Sequence, residues 1–77
     1  MLYVDGNEAR VGDIVSINDG YKGVVVGCIE RGEYRHPHSA EHWAYLGHGI
    51  LVDTDFGGLI HYPDLRSEKL ALVRREP

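Results

Sequence analysis

The histidine-rich stretch at residues 35–43, RHPHSAEHW, contains the residue types best suited to metal chemistry. His36, His38 and His42 fall within seven residues of one another. Imidazole nitrogens favour zinc, copper or nickel, but this spacing matches no established zinc motif. A proline and a helix-capping serine between the histidines also keep the three rings off one continuous helical face. The sequence therefore favours a polar insertion with partly exposed histidines, and a native metal site is the alternative.

His61 and Tyr62 form a second candidate, because they are neighbours on a predicted strand and point to opposite faces of it. A histidine near neutral pH can act as a general base or as a pH-sensitive contact. The favoured interpretation is a histidine hydrogen-bonded within an interface.

Asp53 and Asp55, two residues apart, could pair as acid and base, but a turn-forming role is favoured because a chain this small has little room for a catalytic cleft.

Cys28 is the single cysteine, so no internal disulfide is expected and a reducing, cytoplasmic location is predicted. It lies in an apolar run with no basic neighbour, which predicts a packed rather than a reactive thiol. No phosphate-binding glycine loop and no Ser/His/Asp pattern is recognisable. We therefore predict no catalytic residue and no cofactor, and we favour a protein that is not an enzyme.

Composition and charge narrow the classes of partner. The chain has 77 residues, of which 43% are hydrophobic, and this predicts one domain spanning residues 1–77. Eight basic and twelve acidic residues give a net charge of −4, which argues against nucleic acid as a partner. No signal peptide and no apolar run long enough to span a bilayer is seen, so a membrane partner is not expected.

The elements that would position these residues are short strands separated by glycine-rich turns. The pattern predicts an all-β protein with a short helical insertion, built as a small antiparallel Src-homology-3-like barrel of five or six strands. Asp5-Gly6 suits the turn of an N-terminal hairpin. Ser39 is a good helix N-cap and Gly47 a good stop, which places the helical insertion at about residues 36–47.

The run of residues 23–29 is apolar on both faces and indicates assembly. Strict alternation places Val24, Val26 and Cys28 on one side, and Val25 with Ile29 on the other, outward side. Four further apolar residues, Leu51, Leu59, Ile60 and Tyr62, exceed what one small interior can hide. The sequence therefore predicts a homodimer or homotetramer built through barrel strands.

The segment VGDIVSINDGYKGVVVG resembles the start of the barrel in the plasmid-encoded type II dihydrofolate reductases, and the likeness resumes at ILVDTDFGGLIHYP. It implies a Src-homology-3-like barrel, a tetramer around a central pore, and NADPH-dependent reduction of dihydrofolate. That family lines its pore with Val-Gln-Ile-Tyr. Here the matching residues are Leu59, Ile60, His61 and Tyr62, and Ile17 stands where the family has a ligand-attracting lysine.

Three functions remain after these observations. The favoured one is a non-enzymatic binding or assembly module that uses an aromatic surface, made of Tyr21, Trp43, Tyr45, His61 and Tyr62, for a protein or small-molecule ligand. The first alternative is a reductase like that of the resembled family. The second alternative is a metal-binding protein that uses the histidine-rich insertion.

Overall fold

β-branched residues and short turns build a single antiparallel sheet in the computed structural model, which describes residues 2–18, 20–65 and 69–75. The elements in these residues are β1 (Asp13–Ile17), β2 (Tyr21–Cys28), β3 (Glu33–Tyr34), a short helix α1 (Ala40–Trp43), β4 (Ile50–Thr54), β5 (Gly58–Tyr62) and β6 (Leu70–Arg75). The predicted class, all-β with a short helical insertion and six antiparallel strands, is confirmed. The two-residue strand β3 was not foreseen.

Strand order in the sheet is β5-β4-β2-β1-β6, and β3 pairs with β2 outside this path. The turn between β1 and β2 is tight and uses Asn18 at a φ of 51°, a conformation that asparagine tolerates better than most residues. β6 returns at the end of the chain to pair with β1. No helix among the described residues is long and apolar enough to cross a membrane.

A bulge in β2 interrupts the regular alternation of its side chains between the two faces of the sheet. The pairing of β2 with β4 shifts register between Val25 and Gly27, so that Val26 is an extra residue in its strand. Val25 and Val26 are neighbours in the chain, yet they belong to different buried clusters. Cys28 belongs to the cluster of Val25. Strict alternation had predicted that Cys28 would lie on the same face as Val26. That part of the sequence prediction was wrong because alternation breaks at the bulge.

Two apolar clusters therefore lie on the two sides of the sheet. The larger one contains Tyr3, Ala9, Val15, Ile17, Val25, Cys28, Ile50, Val52, Tyr62, Leu65 and Leu70. The smaller one contains Val26, Ile29 and Leu51, and is covered by Tyr34, Trp43, Leu46 and Leu59.

The helical insertion covers the smaller apolar cluster, which includes Val26 and Leu51, two of the residues from which the sequence had predicted an interface between copies. Helix α1 follows Ser39, and the 3₁₀ turn Ala44–Leu46 that continues it ends at Gly47, as predicted. Trp43 and Leu46 pack on Val26 and Leu51, so these residues are hidden within one chain.

Val25, which strict alternation placed on the outward side, is instead fully buried in the larger cluster, with an exposed fraction of 0%. Its outward placement was therefore wrong.

Asp13, at the start of β1, is a carboxylate with an exposed fraction of 1%. Its Oδ2 atom accepts hydrogen bonds from the Tyr3 hydroxyl at 2.6 Å and from the Arg10 backbone N–H at 2.9 Å. The Arg75 Nε atom lies 3.6 Å from its Oδ1 atom. A buried charge is tolerated when it is paired and hydrogen-bonded, and these partners come from three different segments.

The N-terminal segment forms a small hairpin beside β6, as the Asp5-Gly6 pattern predicted. Leu2 and Glu8 form an antiparallel bridge, and Gly6 has a φ of 90°. The Val4 N–H donates to the Leu70 carbonyl at 3.1 Å, and the Leu72 N–H donates to Asp5 Oδ2 at 3.1 Å. The hairpin therefore covers the outer edge of β6.

We expect the substitution Asp13→Ala to lower the free energy of unfolding by about 3 kcal/mol, because it leaves the buried Tyr3 hydroxyl and the partly buried Arg10 N–H without an acceptor. Urea denaturation followed by the fluorescence of Trp43, the single tryptophan, measures this loss. The matched control is Asp53→Ala, which removes an exposed carboxylate. Equal losses in the two variants would contradict a structural role for Asp13.

Candidate functional site

The turn between β1 and β2 and the turn between β4 and β5 lie side by side and enclose a cleft of about 280 Å³. Its lining consists of aliphatic and aromatic residues with one amide: Ile17, Asn18, Tyr21, Phe56, Ile60 and Tyr62. We refer to this site as the aromatic cleft. Its position follows from the antiparallel order of the strands, which brings both turns to the same end of the sheet.

Tyr21 and Phe56 form one wall of the aromatic cleft. Their ring centroids are 4.6 Å apart and their planes are tilted by 47°, which is within the range of favourable aromatic pairs. The two side chains remain 50% and 49% exposed. This is a large fraction for two rings in contact, so each ring keeps one side free for a further partner.

Polar contacts within the β4–β5 turn hold Phe56 in place. The Asp55 N–H donates to the Lys22 carbonyl at 3.0 Å, and the Lys22 N–H donates to Asp55 Oδ1 at 3.3 Å. The Thr54 hydroxyl donates to the Gly58 carbonyl at 2.7 Å and accepts from the Gly57 N–H at 3.1 Å. The turn is thus tied to β2 and closed on itself. The predicted turn role of Asp55 is confirmed, but the same prediction for Asp53 was wrong, because Asp53 lies within β4.

The floor of the aromatic cleft belongs to the larger apolar cluster. Ile17 and Tyr62 are buried, with exposed fractions of 1% and 5%, and Ile60 packs against them. Asn18 lies in the β1–β2 turn, at the rim. A floor that is part of the packed core moves little when a ligand binds, so the site is preformed.

The side chains that line the aromatic cleft offer stacking surfaces, hydroxyl groups and one amide. Such groups bind a ligand without covalent chemistry, because rings provide contact area and hydroxyl and amide groups orient a polar edge. Tyr21 and Tyr62 were both predicted as surface residues of a binding site, and the structure brings them together in this cleft.

The other three residues of the predicted binding surface lie elsewhere. Trp43 packs on the smaller apolar cluster, and Tyr45, in the 3₁₀ turn, is 78% exposed. The His61 Nε2 atom lies 2.8 Å from the His48 carbonyl oxygen. Because a carbonyl can only accept, the Nε2 atom of His61 is the donor in this contact. His61 and Tyr62 point to opposite faces, as predicted, and His61 serves to hold the chain next to His48.

Sequence reasoning missed Phe56 and Asn18 as members of the site, and it named Ile17 and Ile60 only as the residues at ligand-contacting positions of the resembled family. Phe56 had a usable signal: it is the single phenylalanine and lies between Asp55 and Gly57 in a predicted turn. A large apolar ring in a turn cannot reach the interior easily, so its exposure was foreseeable. The contribution of Ile17 and Ile60 depends on how the two turns approach each other, which no local pattern contains.

The histidines of the insertion make separate local contacts. The His38 ring lies with its centroid 6.5 Å from that of Trp43, and His42 Nδ1 lies 3.2 Å from the Ser39 hydroxyl. Throughout residues 2–18, 20–65 and 69–75, no three His, Cys, Asp or Glu side chains are grouped so that they could hold one metal ion. The structure therefore does not bring His36, His38 and His42 together.

A second, shallower groove of about 260 Å³ lies beside the β4–β5 turn. Lys22, Asp53 and Asp55 contribute to its lining, and they are all exposed. This groove therefore lacks the desolvation that acid–base catalysis by a pair of carboxylates requires.

Cys28 is packed, as predicted. Its side chain is 3% exposed and its Sγ atom lies 3.5 Å from the Ala9 carbonyl oxygen. Burial, followed by the nearby charges of Glu33 and Asp13, raises the pKa of the Cys28 thiol to about 12. Burial and the hydrogen bond to Asp13 also raise the pKa of the Tyr3 hydroxyl well above its usual range.

Comparisons of the chain with protein-family models, with curated proteins and with solved structures give no match. Its function is therefore inferred from its own residues, and the aromatic cleft is the feature best suited to binding.

We expect the stability of the protein to fall at alkaline pH. The raised pKa values of Cys28 and Tyr3 mean that the folded state holds these protons more tightly than the unfolded state does. The free energy of unfolding should be constant from neutral pH up to pH 9, the ordinary pKa of the thiol, and fall as pH rises from 9 toward 12. Urea denaturation at a series of pH values measures the profile.

The variant Cys28→Ala is the control for this profile. Its stability should begin to fall only near pH 10, the ordinary pKa of the remaining Tyr3 hydroxyl. Identical profiles in variant and wild type between pH 9 and 10 would show that the thiol does not contribute.

Proposed function

We propose that this protein is a non-enzymatic binding module, working as a homo-oligomer, that holds an extended segment of a partner protein in the aromatic cleft. The observation that supports this proposal is the pair of tilted, half-exposed rings of Tyr21 and Phe56, which contact each other above a buried apolar floor. Rigid aromatic side chains give large contact area at a low cost in conformational entropy, and they dominate binding sites for that reason.

The size and chemistry of the aromatic cleft favour a proline or an aromatic residue of the partner. A volume of about 280 Å³ accommodates one or two side chains rather than a whole domain. Aromatic-lined grooves bind proline-rich segments because the ligand is already extended and its apolar rings stack on the walls. The net charge of −4 further favours a neutral or basic segment, since an acidic one would be repelled.

Exposed apolar side chains support the homo-oligomeric part of the proposal. Six large apolar side chains among the described residues are about half exposed or more: Leu2, Val4, Tyr21, Tyr45, Phe56 and Val73. Symmetric association of identical chains is the usual way in which soluble proteins cover such surface. The buried residues of β2 no longer contribute to this reasoning, because the chain itself covers them.

We also propose that the fold is a Src-homology-3-like barrel like that of the type II dihydrofolate reductases. The order of five antiparallel strands, with the last returning to the first, supports it. Ile60 replaces the glutamine of that family and lies in the cleft wall, where it offers no hydrogen bond to nicotinamide or folate.

We therefore expect no oxidation of NADPH when the protein is mixed with dihydrofolate. Steady turnover in a spectrophotometric assay would replace the binding proposal with the reductase alternative.

Metal binding by His36, His38 and His42 stays a prediction from the sequence. The separate contacts of His38 and His42 give it no geometric support.

The test of the binding proposal is a titration of isotopically labelled protein with a panel of proline-containing and aromatic-containing peptides, followed by NMR. The backbone amides of Asn18, Tyr21 and Phe56 should shift with at least one class of peptide. The variant Phe56→Ala should weaken that binding about tenfold or more, as the loss of a central aromatic contact does. Its half-exposed ring can be removed without opening the core.

Tyr45→Ala is the matched control, because it removes an exposed aromatic ring outside the cleft. Its affinity for the same peptide should equal that of the wild type. If no peptide shifts the amides of the cleft, or if Tyr45→Ala loses as much affinity as Phe56→Ala, the cleft is not the binding site.

A further inference from the structure

The segment that covers the smaller apolar cluster is fixed to the sheet at its two ends. At one end the Arg35 N–H donates to the Val26 carbonyl at 2.8 Å. At the other end the Ile29 N–H donates to the Gly49 carbonyl at 3.0 Å. We refer to residues 36–48, between these two bonds, as the lid. Because the bonds anchor only its ends, the contacts of the residues between them decide how firmly the lid is held.

The backbone hydrogen bonds of the lid link residues of the same short segment. The Trp43 N–H donates to the Ser39 carbonyl at 3.2 Å, and the Gly47 N–H donates to the Ala44 carbonyl at 3.0 Å. Within the described part of the chain, residues 36–47 exchange no hydrogen bond and no ion pair with any strand. A helix of 4 residues is not stable in water by itself. These bonds therefore persist only while the lid lies on the sheet.

Few contacts hold the lid against the sheet. Trp43 and Leu46 pack on the smaller apolar cluster, yet both stay partly exposed. Helix α1 and the 3₁₀ turn after it are described in full, and none of their residues is buried. At the last residue of the lid, the His48 carbonyl accepts a hydrogen bond from His61 Nε2 at 2.8 Å. Local stability grows with buried apolar contacts and protected hydrogen bonds, so the lid is less stable than the sheet beneath it.

Tyr34 precedes the lid and carries a buried hydroxyl group with which no described residue forms a hydrogen bond. Its ring packs against the same apolar cluster that the lid covers. A buried polar group without a partner is unfavourable, because it has lost its hydrogen bonds to water. The hydroxyl therefore favours any opening that lets water reach it again.

We propose that the lid opens as a unit while the sheet stays folded, and that this opening uncovers the Tyr34 hydroxyl together with the smaller apolar cluster. Gly47 provides a hinge at one end of the lid. Its φ is 81°, and a side chain there would meet no atom of the described residues within 4 Å, so the backbone can turn without a collision. The opening is independent of the aromatic cleft, whose floor belongs to the larger cluster on the other side of the sheet.

Opening changes the chemistry of one side of the protein. The closed lid hides Val26 and Leu51, which are 5% and 1% exposed. The open form presents these side chains and the inner side of the lid, which carries Trp43 and Leu46. The closed form is the major one, because Trp43 and Leu46 lose their packing on opening. The lid therefore controls when an apolar surface is exposed.

Native-state hydrogen exchange measured by NMR tests the opening. The Trp43 and Gly47 amides should have the same protection factor, since one event exposes both. It should be at least about a hundredfold below that of the Gly12 amide, which donates to the Val25 carbonyl of the sheet at 2.8 Å. Protection of the two lid amides equal to that of Gly12 would overturn the proposal, and so would unequal protection of Trp43 and Gly47.

The variant Tyr34→Phe tests whether the opening uncovers the hydroxyl. It removes the unpaired group and keeps the ring, so the closed form is stabilised. The protection factors of Trp43 and Gly47 should rise about fivefold or more. The matched control is Tyr45→Phe, which removes a hydroxyl from a ring of the lid that is 78% exposed. It should leave both protection factors unchanged.

The Gly12 amide separates opening of the lid from unfolding of the sheet. Both events uncover the Tyr34 hydroxyl, so Tyr34→Phe should raise the protection of Gly12 by the same factor as that of Trp43. A rise at Gly12 without one at Trp43 would show that only global unfolding uncovers the hydroxyl, which would overturn the proposal. Unchanged or lower protection of Trp43, or an equal rise in Tyr45→Phe, would overturn it as well.

Discussion

The buried carboxylate of Asp13 is the interaction on which the arrangement of the chain most depends. An ionised group in the interior is destabilising unless several donors surround it. Hydrogen bonds come from the N-terminal hairpin through Tyr3 and from the segment before β1 through Arg10, and an ion pair comes from β6 through Arg75. The chain can satisfy Asp13 only when its first and last described segments both lie against β1. One side chain thus links the hairpin, the first strand and the last strand.

The bulge at Val26 is the second constraint, and it determines what covers the two faces of the sheet. Because Val26 is an extra residue, consecutive valines point into different clusters and both are buried. One cluster becomes the main core, and the other needs a cover. The segment from Tyr34 to Leu46 supplies that cover with a short helix and a single 3₁₀ turn. An insertion that reads as a separate, histidine-rich feature in the sequence is therefore part of the packing of the sheet.

Strand β5 contributes directly to the aromatic cleft. Its Ile60 side chain lines the cleft, and among the described strands its backbone pairs with β4. The rigid turn before it presents Phe56 to Tyr21. Phe56, one ring of the exposed aromatic pair, thus lies on the same β4–β5 hairpin as Ile60. A binding site on a rigid hairpin that is anchored in the core has little conformational entropy to lose when a ligand is bound.

The sequence by itself determined the local structure. The glycine and aspartate turns, the strands rich in β-branched residues, the N-terminal hairpin and the helix between Ser39 and Gly47 follow from preferences that act over a few residues. The opposite directions of His61 and Tyr62 and the packing of Cys28 were predictable for the same reason. Only the tertiary structure decided that Val25 points inward, that Asp13 has three partners, and that Tyr21 meets Phe56 rather than Trp43 or Tyr45. Those outcomes depend on a register shift and on contacts between residues far apart in the chain, and alternation within one strand carries no information about either.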